Sequence, residues 1–398
     1  MGMNLKRELS DELSNILFYW IKNTLDKKNG GFVGEITFDN TIIFDADKGA
    51  VLNARILWTF SSAYRFDPSP EYFKIAEIAY KYLVDYFWDR PYGGLYWRLD
   101  SLGNPINTRK QIYAQGFGVY AFSEFYRATK KEEALDYAKA LYQLIEKHSF
   151  DPEYGGYVEA LSREWKPMLD MRLSDKDKNE PKSMNTHLHL LEPYTNLYRI
   201  WRNDGLANQI RGLIRTFLDK IIDNERAQFN LFFEMDWKQK SRVVSFGHDI
   251  EGSWLLHEAA EVLGDKTLLH EVETIILRMV DKVLEQGIDT DGGVLNEYDP
   301  EHNHLDSDRH WWPQAEALVG FMNAYQLTRN EKYLRQVEKT WVFIKNNIID
   351  KKNGEWFWKV KKDGTVVKED CKVGFWKCPY HNSRALIEVL ERLEKISK

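Results

Sequence analysis

The feature that most constrains this chain is an internal repeat. A short segment that combines glycine with aromatic residues recurs around Gly30, Gly93, Gly155, Gly292 and Gly354, at intervals of 63, 62, 137 and 62 residues. The long interval is close to two periods, and its middle holds FNLFFEMDW (229–237), which has strand-forming residues without the glycine pair. A fixed period of this length indicates a repeat architecture. We therefore count six units.

Each glycine segment, such as NGGFVGE or YGGLYWR, is typical of a turn followed by a few strand residues, that is, a small hairpin arm. After each arm comes a helical stretch that is apolar on nearly every face, as a buried helix should be. These stretches begin at Ala50, Gln111, Asn185, His248, Pro313 and His381. The other helix of each pair is plainly amphipathic, as in 71–88 and 132–148.

Six pairs of one buried and one half-exposed helix predict an all-α fold, an (α/α)6 barrel of six helix pairs with short β-hairpin arms at one rim. An open helical solenoid is the alternative, but such arrays usually have shorter repeats. A length of 398 residues would by itself suggest two or three domains. The repeat instead predicts one catalytic barrel domain over residues 1–398.

Composition excludes several classes of partner. The chain has 55 basic and 61 acidic residues, a net charge of -6, which is too negative for an electrostatic nucleic-acid binder. No apolar run approaches the roughly 18 residues of a membrane span, and the first residues lack the apolar core of a signal peptide. We therefore expect a cytoplasmic protein with no nucleic-acid or membrane partner. Cys371 and Cys378 fit neither a disulfide framework nor a close-spaced zinc pair.

The segment 163–184 is the one long insertion between units, rich in Asp, Lys and Pro. It precedes the third buried helix and so lies at the same rim as the arms. Long segments of this kind at a site are often lids. We interpret it as a candidate mobile lid.

Because the buried helices are parallel and each follows an arm, their N-terminal ends should converge at one mouth of the barrel. Three of the ten histidines, His189, His248 and His381, fall at matching positions on three different buried helices, which chance would rarely arrange. The full set of unusual residues expected at this mouth is Arg55, Tyr113, Asn185, His189, His248, Glu251, Trp311, Trp312, Glu316, Trp376 and His381.

His248 and Glu251 are three residues apart, so they share a helix face, and a carboxylate beside an imidazole raises its basicity and orients it. The alternative is that His248 only caps the helix and Glu251 is solvated. His381 begins the last buried helix, where it could likewise be a simple helix-entry residue. His187 points away from the Asn185 and His189 face and is expected to be structural.

Arg55 lies one turn into an apolar helix, where an unpaired charge is costly, so it should face a partner or an anionic intermediate. Trp311 and Trp376 can offer flat apolar faces to a pyranose ring. The cluster His302, His304 and His310 matches no standard metal spacing, and we expect a solvated loop. No nucleotide-binding glycine loop is present.

The carboxylates Glu251, Glu297 and Glu316 could serve a glycoside hydrolase, as in many barrels of this type. That reading leaves the paired histidines without a role. The motifs GHDIEGSWLL, WWPQAEAL, CPYHN and DKGAVLNARILW resemble instead the N-acylglucosamine 2-epimerase superfamily, most closely its cellobiose 2-epimerase branch. The match runs over essentially the whole chain in the right order.

The resemblance implies that His248 and His381 are the two acid/base residues flanking C2 of the reducing-end sugar, with Glu251 supporting His248. It further implies that Arg55 holds the enediolate oxygens and that Trp311 and Trp376 stack on the sugar. The remaining sugar-binding residues that it implies are Asn185, His189, Tyr113 and Glu297.

Two histidines with pKa values near 6.5 suit proton transfer in either direction at neutral pH. Neither a redox cofactor nor a metal is needed. The substrate would be a disaccharide, and the protein is expected to be a monomer or weak homodimer. An N-acylglucosamine 2-epimerase or a monosaccharide aldose-ketose isomerase of the same superfamily remains the alternative. A non-catalytic sugar-binding protein is the third reading.

Overall fold

The computed structural model describes residues 2–397, with side chains for residues 4–396. Helices that are amphipathic alternate along this part of the chain with helices that are almost fully buried. The amphipathic, outer helices are α1 (Gly2–Asn23), α3 (Pro70–Tyr82), α5 (Glu132–His148), α7 (Asp204–Thr216), α9 (Lys266–Lys282) and α11 (Glu331–Phe343). The buried, inner helices are α2 (Ala50–Phe66), α4 (Ile112–Thr129), α6 (Met184–Ile200), α8 (Phe246–Leu263), α10 (Trp311–Thr328) and α12 (Tyr380–Ser397).

The inner helices form a closed ring. Each packs against the next inner helix along the chain, and α12 packs against α2. Their side chains are apolar on nearly all sides because each helix contacts two inner neighbours and its own outer partner. The predicted (α/α)6 barrel of six helix pairs is confirmed, and the open solenoid is excluded by the contact between the first and last inner helices.

Four of the outer helices, α3, α7, α9 and α11, end in a five-residue π-helical turn, namely Leu83–Phe87, Phe217–Ile221, Val283–Gly287 and Ile344–Ile348. Each turn leads directly toward the arm of the next unit. None of the helices in the described part of the chain has the length and apolar character required to cross a membrane.

The arms consist of very short strands at the N-terminal ends of the inner helices. Neighbouring arms pair with each other, as β3 pairs with β4 and β12 with β13, so the arms form a discontinuous collar. The strands are β1 (Glu35–Ile36), β2 (Ile42–Ile43), β3 (Lys48–Gly49), β4 (Arg98–Leu99), β5 (Pro105–Asn107), β6 (Lys110–Gln111), β7 (Ala160–Leu161), β8 (Lys182–Ser183), β9 (Ile222–Asp223), β10 (Gln228–Phe229), β11 (Phe232–Phe233), β12 (Val244–Ser245), β13 (Glu297–Asp299), β14 (His304–Asp306), β15 (Arg309–His310) and β16 (Lys359–Val360).

A buried ion pair fastens five of the six arms. In each, a basic residue between the glycine turn and the inner helix contacts the aspartate that opens that turn. In three units the lysine also donates to a turn carbonyl, as Lys48 does to the Gly30 oxygen. The pairs are Lys48 with Asp26 (2.8 Å), Lys110 with Asp89 (2.9 Å), Lys182 with Asp151 (2.6 Å), Arg309 with Asp289 (2.5 Å) and Lys372 with Asp350. The fourth unit differs, because Asp223 pairs locally with Arg226 at 2.7 Å.

A second polar contact fixes each of four arms to the fourth residue of its inner helix. The backbone N–H of Leu95 donates to Gln115 Oε1, and that of Val294 donates to Gln314 Oε1, both at 2.7 Å. The N–H of Phe229 donates to Asp249 Oδ1 at 2.8 Å. His187 occupies the same position in α6 and accepts from the Tyr157 N–H through Nε2 at 2.9 Å. The structural role predicted for His187 is therefore confirmed.

Helix α6 bends at His189, whose φ and ψ of -88° and 16° are not helical. The cause is Pro193, four residues further on, which has no N–H to donate to the His189 carbonyl. That carbonyl instead lies where a side chain at Gly116 of α4 would be, 2.4 Å from an ideal Cβ position.

Candidate active site

The N-terminal ends of the inner helices surround a cavity of about 430 Å³. It contains nine of the ten site residues predicted from the sequence. The cavity is lined by Arg55, Tyr113, Leu173, Ser174, Asp175, Lys176, Asp177, Asn185, His189, His248, Glu251, His310, Trp311, Trp312, Trp358, Trp376 and His381.

Glu297 is the predicted residue that does not line this cavity. It lies on β13 in register with Ser245 and Asp306, half-buried behind the rim. Burial, together with the charge of Asp306, raises the pKa of Glu297 to about 6. Glu297 therefore lies in the sheet that joins β12 of the fourth unit to the arm of the fifth, and it does not form the cavity wall.

The histidines of the site occupy different positions on their helices. His381 is the second residue of α12, His248 the third of α8 and His189 the sixth of α6. The expectation that they hold matching positions was therefore wrong. They converge because each position lies within the first two turns, where the ring of helices opens into the mouth.

A carboxylate holds the ring of His381. Its Nδ1 lies 2.6 Å from Glu316 Oε1, so Nδ1–H donates and Nε2 is left without a protein partner. Glu316 is itself fixed, because Trp254 Nε1 donates to its Oε2 at 3.1 Å and Arg384 Nη2 donates to its Oε1 at 2.7 Å. The imidazole is thus oriented with one ring nitrogen available to a substrate.

A hydroxyl, and not a carboxylate, holds the ring of His248. Its Nδ1 lies 2.8 Å from Ser245 Oγ, the residue before the helix begins. The predicted support by Glu251 is wrong, because the Glu251 carboxylate bonds to Arg384 instead, at 2.7 Å. The Trp312 ring contacts both catalytic candidates, with centroids 4.7 Å from His248 and 5.7 Å from His381.

Arg384 lies beneath the site and joins three buried carboxylates. Its Nη2 donates at 2.7 Å to both Glu251 and Glu316, and its Nη1 donates to Glu192 and to the Tyr380 hydroxyl. Burial raises the pKa of Glu251 well above its usual value, and the neighbouring Glu316 charge raises it further. Two carboxylates on one guanidinium nitrogen are disfavoured as a doubly ionised pair. The contact therefore favours a single proton shared between Glu251 and Glu316.

His189 forms a second pair of an imidazole and a carboxylate. Its Nδ1 lies 3.0 Å from Glu192 Oε2. Burial alone would raise the pKa of Glu192, but Arg384 and the bond from His189 lower it to about 2. Glu192 is therefore charged, and Nε2 of His189 lies toward the Glu251 carboxylate at 4.0 Å. Next to it, Asn185 Oδ1 is buried without a partner and is available to a hydroxyl.

Arg55 is buried, and among the described residues its hydrogen-bond partners are Tyr113 and Cys378, with no ion pair to a carboxylate. Its Nη2 donates to the Tyr113 hydroxyl at 2.8 Å, and its guanidinium stacks on Phe117 and Tyr380 at 4.3 and 4.9 Å. Nε has no partner. The site thus holds an uncompensated positive charge in the place where an anionic intermediate was expected.

Both catalytic candidates have lowered pKa values, which differs from the expected values near 6.5. Burial, together with the charge of His189, lowers the pKa of His248 to about 3. Burial, with Arg55 and Arg384, lowers the pKa of His381 well below its usual value. Both imidazoles are therefore neutral in the free protein at pH 7, the form that accepts a proton.

Among the described residues, Glu251, Glu316 and His381 offer atoms within 4.8 Å of one another, close enough to hold a metal ion. Arg384 Nη2 lies 2.7 Å from both carboxylates. A guanidinium thus already supplies the positive charge that these carboxylates need.

The model of the N-acylglucosamine 2-epimerase family matches residues 30–385. A cellobiose 2-epimerase of Bacteroides fragilis is 50% identical over 97% of this chain and 98% of its own length. The chain belongs to the N-acylglucosamine 2-epimerase family. It is therefore a carbohydrate epimerase, an enzyme of the isomerase class, as the sequence motifs predicted.

Solved structures of similar proteins agree with the fold. A cellobiose 2-epimerase of Bacillus thermoamylovorans has a TM-score of 0.94 at 41% identity, covering 98% of this chain and 99% of its own. A D-mannose isomerase shares the fold with a TM-score of 0.83 at 21% identity, covering 97% of each chain. The barrel of this epimerase family member is thus the same as in its relatives.

Sequence reasoning missed the partners of the epimerase's histidines. Glu316 was recognised at the rim but not as the support of His381, and Arg384, Ser245 and Trp312 were given no role. A signal existed for Arg384, which is a charged residue four positions after Tyr380 in an otherwise apolar helix face. Its three carboxylate partners come from α6, α8 and α10, so no local spacing reveals them.

His310 was wrongly expected in a solvated loop. His302 and His304 are exposed as predicted, but His310 lines the cavity of the epimerase beside Trp358. It is the residue before α10, so it lies at the converging helix ends. Burial lowers the pKa of His310 to about 4. The insertion also reaches the site, since its residues 173–177 line the cavity.

Proposed function

We propose that this enzyme is a cellobiose 2-epimerase, which interconverts D-glucose and D-mannose at the reducing end of β-1,4-linked disaccharides such as cellobiose and lactose. The observation that carries the proposal is the set of three groups on one cavity: His248, His381 and the uncompensated Arg55. Two proton carriers beside a positive charge suit a reaction that passes through an enediolate.

The reaction begins with the open-chain aldehyde of the reducing-end sugar. Nε2 of one neutral imidazole removes the proton from C2, and the electron pair moves to O1 to form a cis-enediolate. The other imidazole takes up a proton from solvent when the substrate binds, donates that proton to the opposite face of C2, and the aldehyde reforms as the other epimer. One proton is thus shared by His248 and His381 and passes from one to the other in each turnover.

The negative charge of the enediolate determines what the charged groups around it do. Its negative charge is matched by the Arg55 guanidinium, which has no carboxylate to neutralise it first. The same negative charge favours the protonated state of the imidazoles, which offsets the lowering of their pKa values by burial. Tyr113 holds Arg55 in place through its hydroxyl.

The sugar itself would be held by Asn185 and His189, whose free acceptor atoms face hydroxyl groups. Trp311 is only 3% exposed, so its contact is through a ring edge, while Trp312 and Trp376 present more surface. We place the second sugar unit against Trp376 and residues 173–175 of the insertion. Closure of this insertion over the cavity remains a prediction.

Protonation of the same enediolate at C1 would yield a ketose, so we expect aldose-ketose isomerisation as a side activity. The reaction uses this chain's residues for every proton transfer, and we assign no cofactor. The two free cysteines support a cytoplasmic location. We further propose one catalytic domain, acting as a monomer or weak homodimer.

The test is proton NMR of cellobiose with the purified enzyme in D2O. We expect new mannose-type anomeric signals together with deuterium at C2. Unchanged cellobiose would overturn the disaccharide assignment, and parallel tubes with N-acetylglucosamine and mannose would then identify a monosaccharide epimerase or isomerase. Epimerisation that leaves protium at C2 would contradict the proton-transfer mechanism.

A further inference from the structure

The sixth arm differs from the others at the second position of its glycine turn. Four units have a second glycine there, and a Cβ atom at any of these positions would lie under 3.0 Å from an aromatic ring. These glycines are Gly31, Gly94, Gly156 and Gly293. The sixth unit has Glu355, whose φ of 63° lies in the left-handed region that favours glycine. A glutamate in this conformation costs energy, and such strain concentrates at functional sites.

The Glu355 carboxylate is buried and accepts three hydrogen bonds. Its Oε1 accepts from Lys377 Nζ at 2.6 Å and from Asn382 Nδ2 at 2.8 Å. Its Oε2 accepts from Trp20 Nε1 at 2.7 Å. All four side chains are buried, and in the part of the chain that the structure describes Lys377 forms its ion pair with Glu355 alone. Charge-assisted bonds of this kind are strong where water is excluded.

One carboxylate oxygen therefore binds both ends of the segment 377–382, and His381 lies inside that segment. His381 is in the first turn of α12, where the backbone N–H groups have no helical acceptors to hold them. The bond from Nδ1 to Glu316 orients the ring, but it does not fix the main chain that carries the ring. Glu355 supplies that second restraint.

We propose that Glu355 is a positioning residue for proton transfer, which fixes the main chain of His381 by holding Lys377 and Asn382 on one oxygen. The inference rests on the proposed function, in which His381 carries a proton to or from C2. Fastening of the arm itself does not require Glu355, because the sixth arm already has the buried pair of Lys372 and Asp350. A misplacement of reacting groups by about 1 Å can lower a rate by about 10²-fold, so Glu355 acts without contacting the sugar.

The first test compares kcat and KM for cellobiose in E355Q and D26N. E355Q keeps the shape of the side chain but removes its charge, and its amide N–H₂ has to face one of the donors that the carboxylate accepts. We expect kcat to fall by about 10-fold, with KM changed less than about twofold. E355D keeps the charge on a shorter side chain and should fall between E355Q and the wild type.

D26N is the matched control, because it removes the charge of another buried lysine partner, at 2.8 Å from Lys48 in the first arm. We expect D26N to lower thermal stability while kcat stays within about twofold of the wild type. An equal fall of kcat in D26N and E355Q would show that loosening any arm slows the enzyme, and it would overturn the proposal. An unchanged kcat in E355Q would overturn it as well.

The second test measures exchange of the C2 proton in D2O by variants with a single proton carrier. Exchange relies on His381 in H248A and on His248 in H381A. Addition of E355Q should lower exchange by about 10-fold in H248A and by less than about twofold in H381A. Equal losses in the two backgrounds would mean that Glu355 supports the mouth in general, against the proposal.

If E355Q does not fold, the double variant E355G/K377M takes its place. It removes both members of the ion pair and gives the turn the second glycine of the other units. A kcat equal to that of the wild type in this variant would overturn the proposal, and a fall of about 10-fold would support it. Absence of cellobiose turnover by the wild type would instead refute the proposed function, and the same comparisons would then use the sugar that the enzyme does convert.

Discussion

His381 and His248 differ in what holds them. His381 donates to Glu316, whose charge is shared with Arg384 and the buried carboxylates around it, whereas His248 contacts only the neutral Ser245 hydroxyl. A charged partner changes both the orientation and the basicity of an imidazole, while a hydroxyl changes mainly its orientation. The orientation and basicity of the two imidazoles are therefore set by different kinds of partner, a carboxylate for His381 and a hydroxyl for His248.

Removal of either imidazole should have the largest effect. We expect H381A and H248A each to lower epimerisation by at least about 10³-fold, within the range of general acid/base groups. Each variant keeps one proton carrier on one face of C2. In D2O, one variant should therefore exchange the C2 proton of the glucose epimer and the other that of the mannose epimer, without interconversion.

Epimerisation above about a tenth of the wild-type rate in either variant would contradict the two-histidine mechanism. The exchange pattern, read by NMR for each epimer separately, assigns each histidine to one epimer. Thermal unfolding followed by circular dichroism serves as the control for folding.

Substitution of Arg384 should remove the bond that fixes Glu316, the partner of His381, and leave the contact between Ser245 and His248 in place. R384M leaves three buried carboxylates without their shared cation, a change that typically costs about 3–5 kcal/mol of unfolding free energy. We expect a marked fall in thermal stability and loss of activity. R384K should retain more of both, although a lysine cannot donate to all three carboxylates in one plane.

R392M is a suitable comparison for Arg384, because Arg392 lies two turns further along α12 and bonds to Asn323 and Gln326 at the other end of the barrel. Urea unfolding of the three variants measures the free energies. Equal stability of R384M and R392M would show that the carboxylate cluster does not depend on Arg384.

Glu316→Gln removes the negative charge of the carboxylate that contacts His381, while the side chain keeps nearly the same shape. We expect a fall in kcat of about 10²-fold, since the carboxylate both orients the ring and stabilises its protonated form. Loss of a nearby negative charge lowers the pKa of His381, so the pH profile of kcat/KM should move to lower pH. A fall in rate with an unmoved profile would mean that Glu316 acts by orientation only.

Ser245→Ala should have the smallest effect. The hydroxyl is neutral, so its loss frees the His248 ring without changing its charge, and we expect a fall in kcat of about 10-fold or less. The pH profile should stay in place, in contrast to that of E316Q. If the pH profile of S245A shifted as far as that of E316Q, the proposed difference between a charged partner for His381 and a neutral partner for His248 would be wrong.

The barrel was predictable because its signal is local and repeated. Apolar inner helices, amphipathic outer helices and glycine turns recur with one period, and each repeat confirms the others. The same reasoning predicted that nine of the site residues line one cavity, because the parallel inner helices converge at their N-terminal ends. Glu297 was misplaced because it lies on the middle strand of a three-stranded sheet, where a side chain can lie on either face.

The pairing of the histidines was not predictable from spacing. Glu251 is three residues from His248 and shares its helix face, yet it bonds to Arg384 from a helix more than 130 residues away. His381 takes its partner from the neighbouring helix at Glu316, 65 residues away. Which of two nearby carboxylates an imidazole contacts depends on the angle between helices, and neither periodicity nor composition encodes that angle.

The buried ion pairs that fasten the arms have a consequence for how such an enzyme can diversify. Each of five arms is anchored at its base by its own lysine or arginine and aspartate, so the residues beyond the anchor can change in length and chemistry without displacing the helix that follows. The segment 163–184 is such an extension, inserted between a fastened turn and its helix. Recognition of new sugars can therefore evolve in the collar while the proton-transfer machinery is inherited intact.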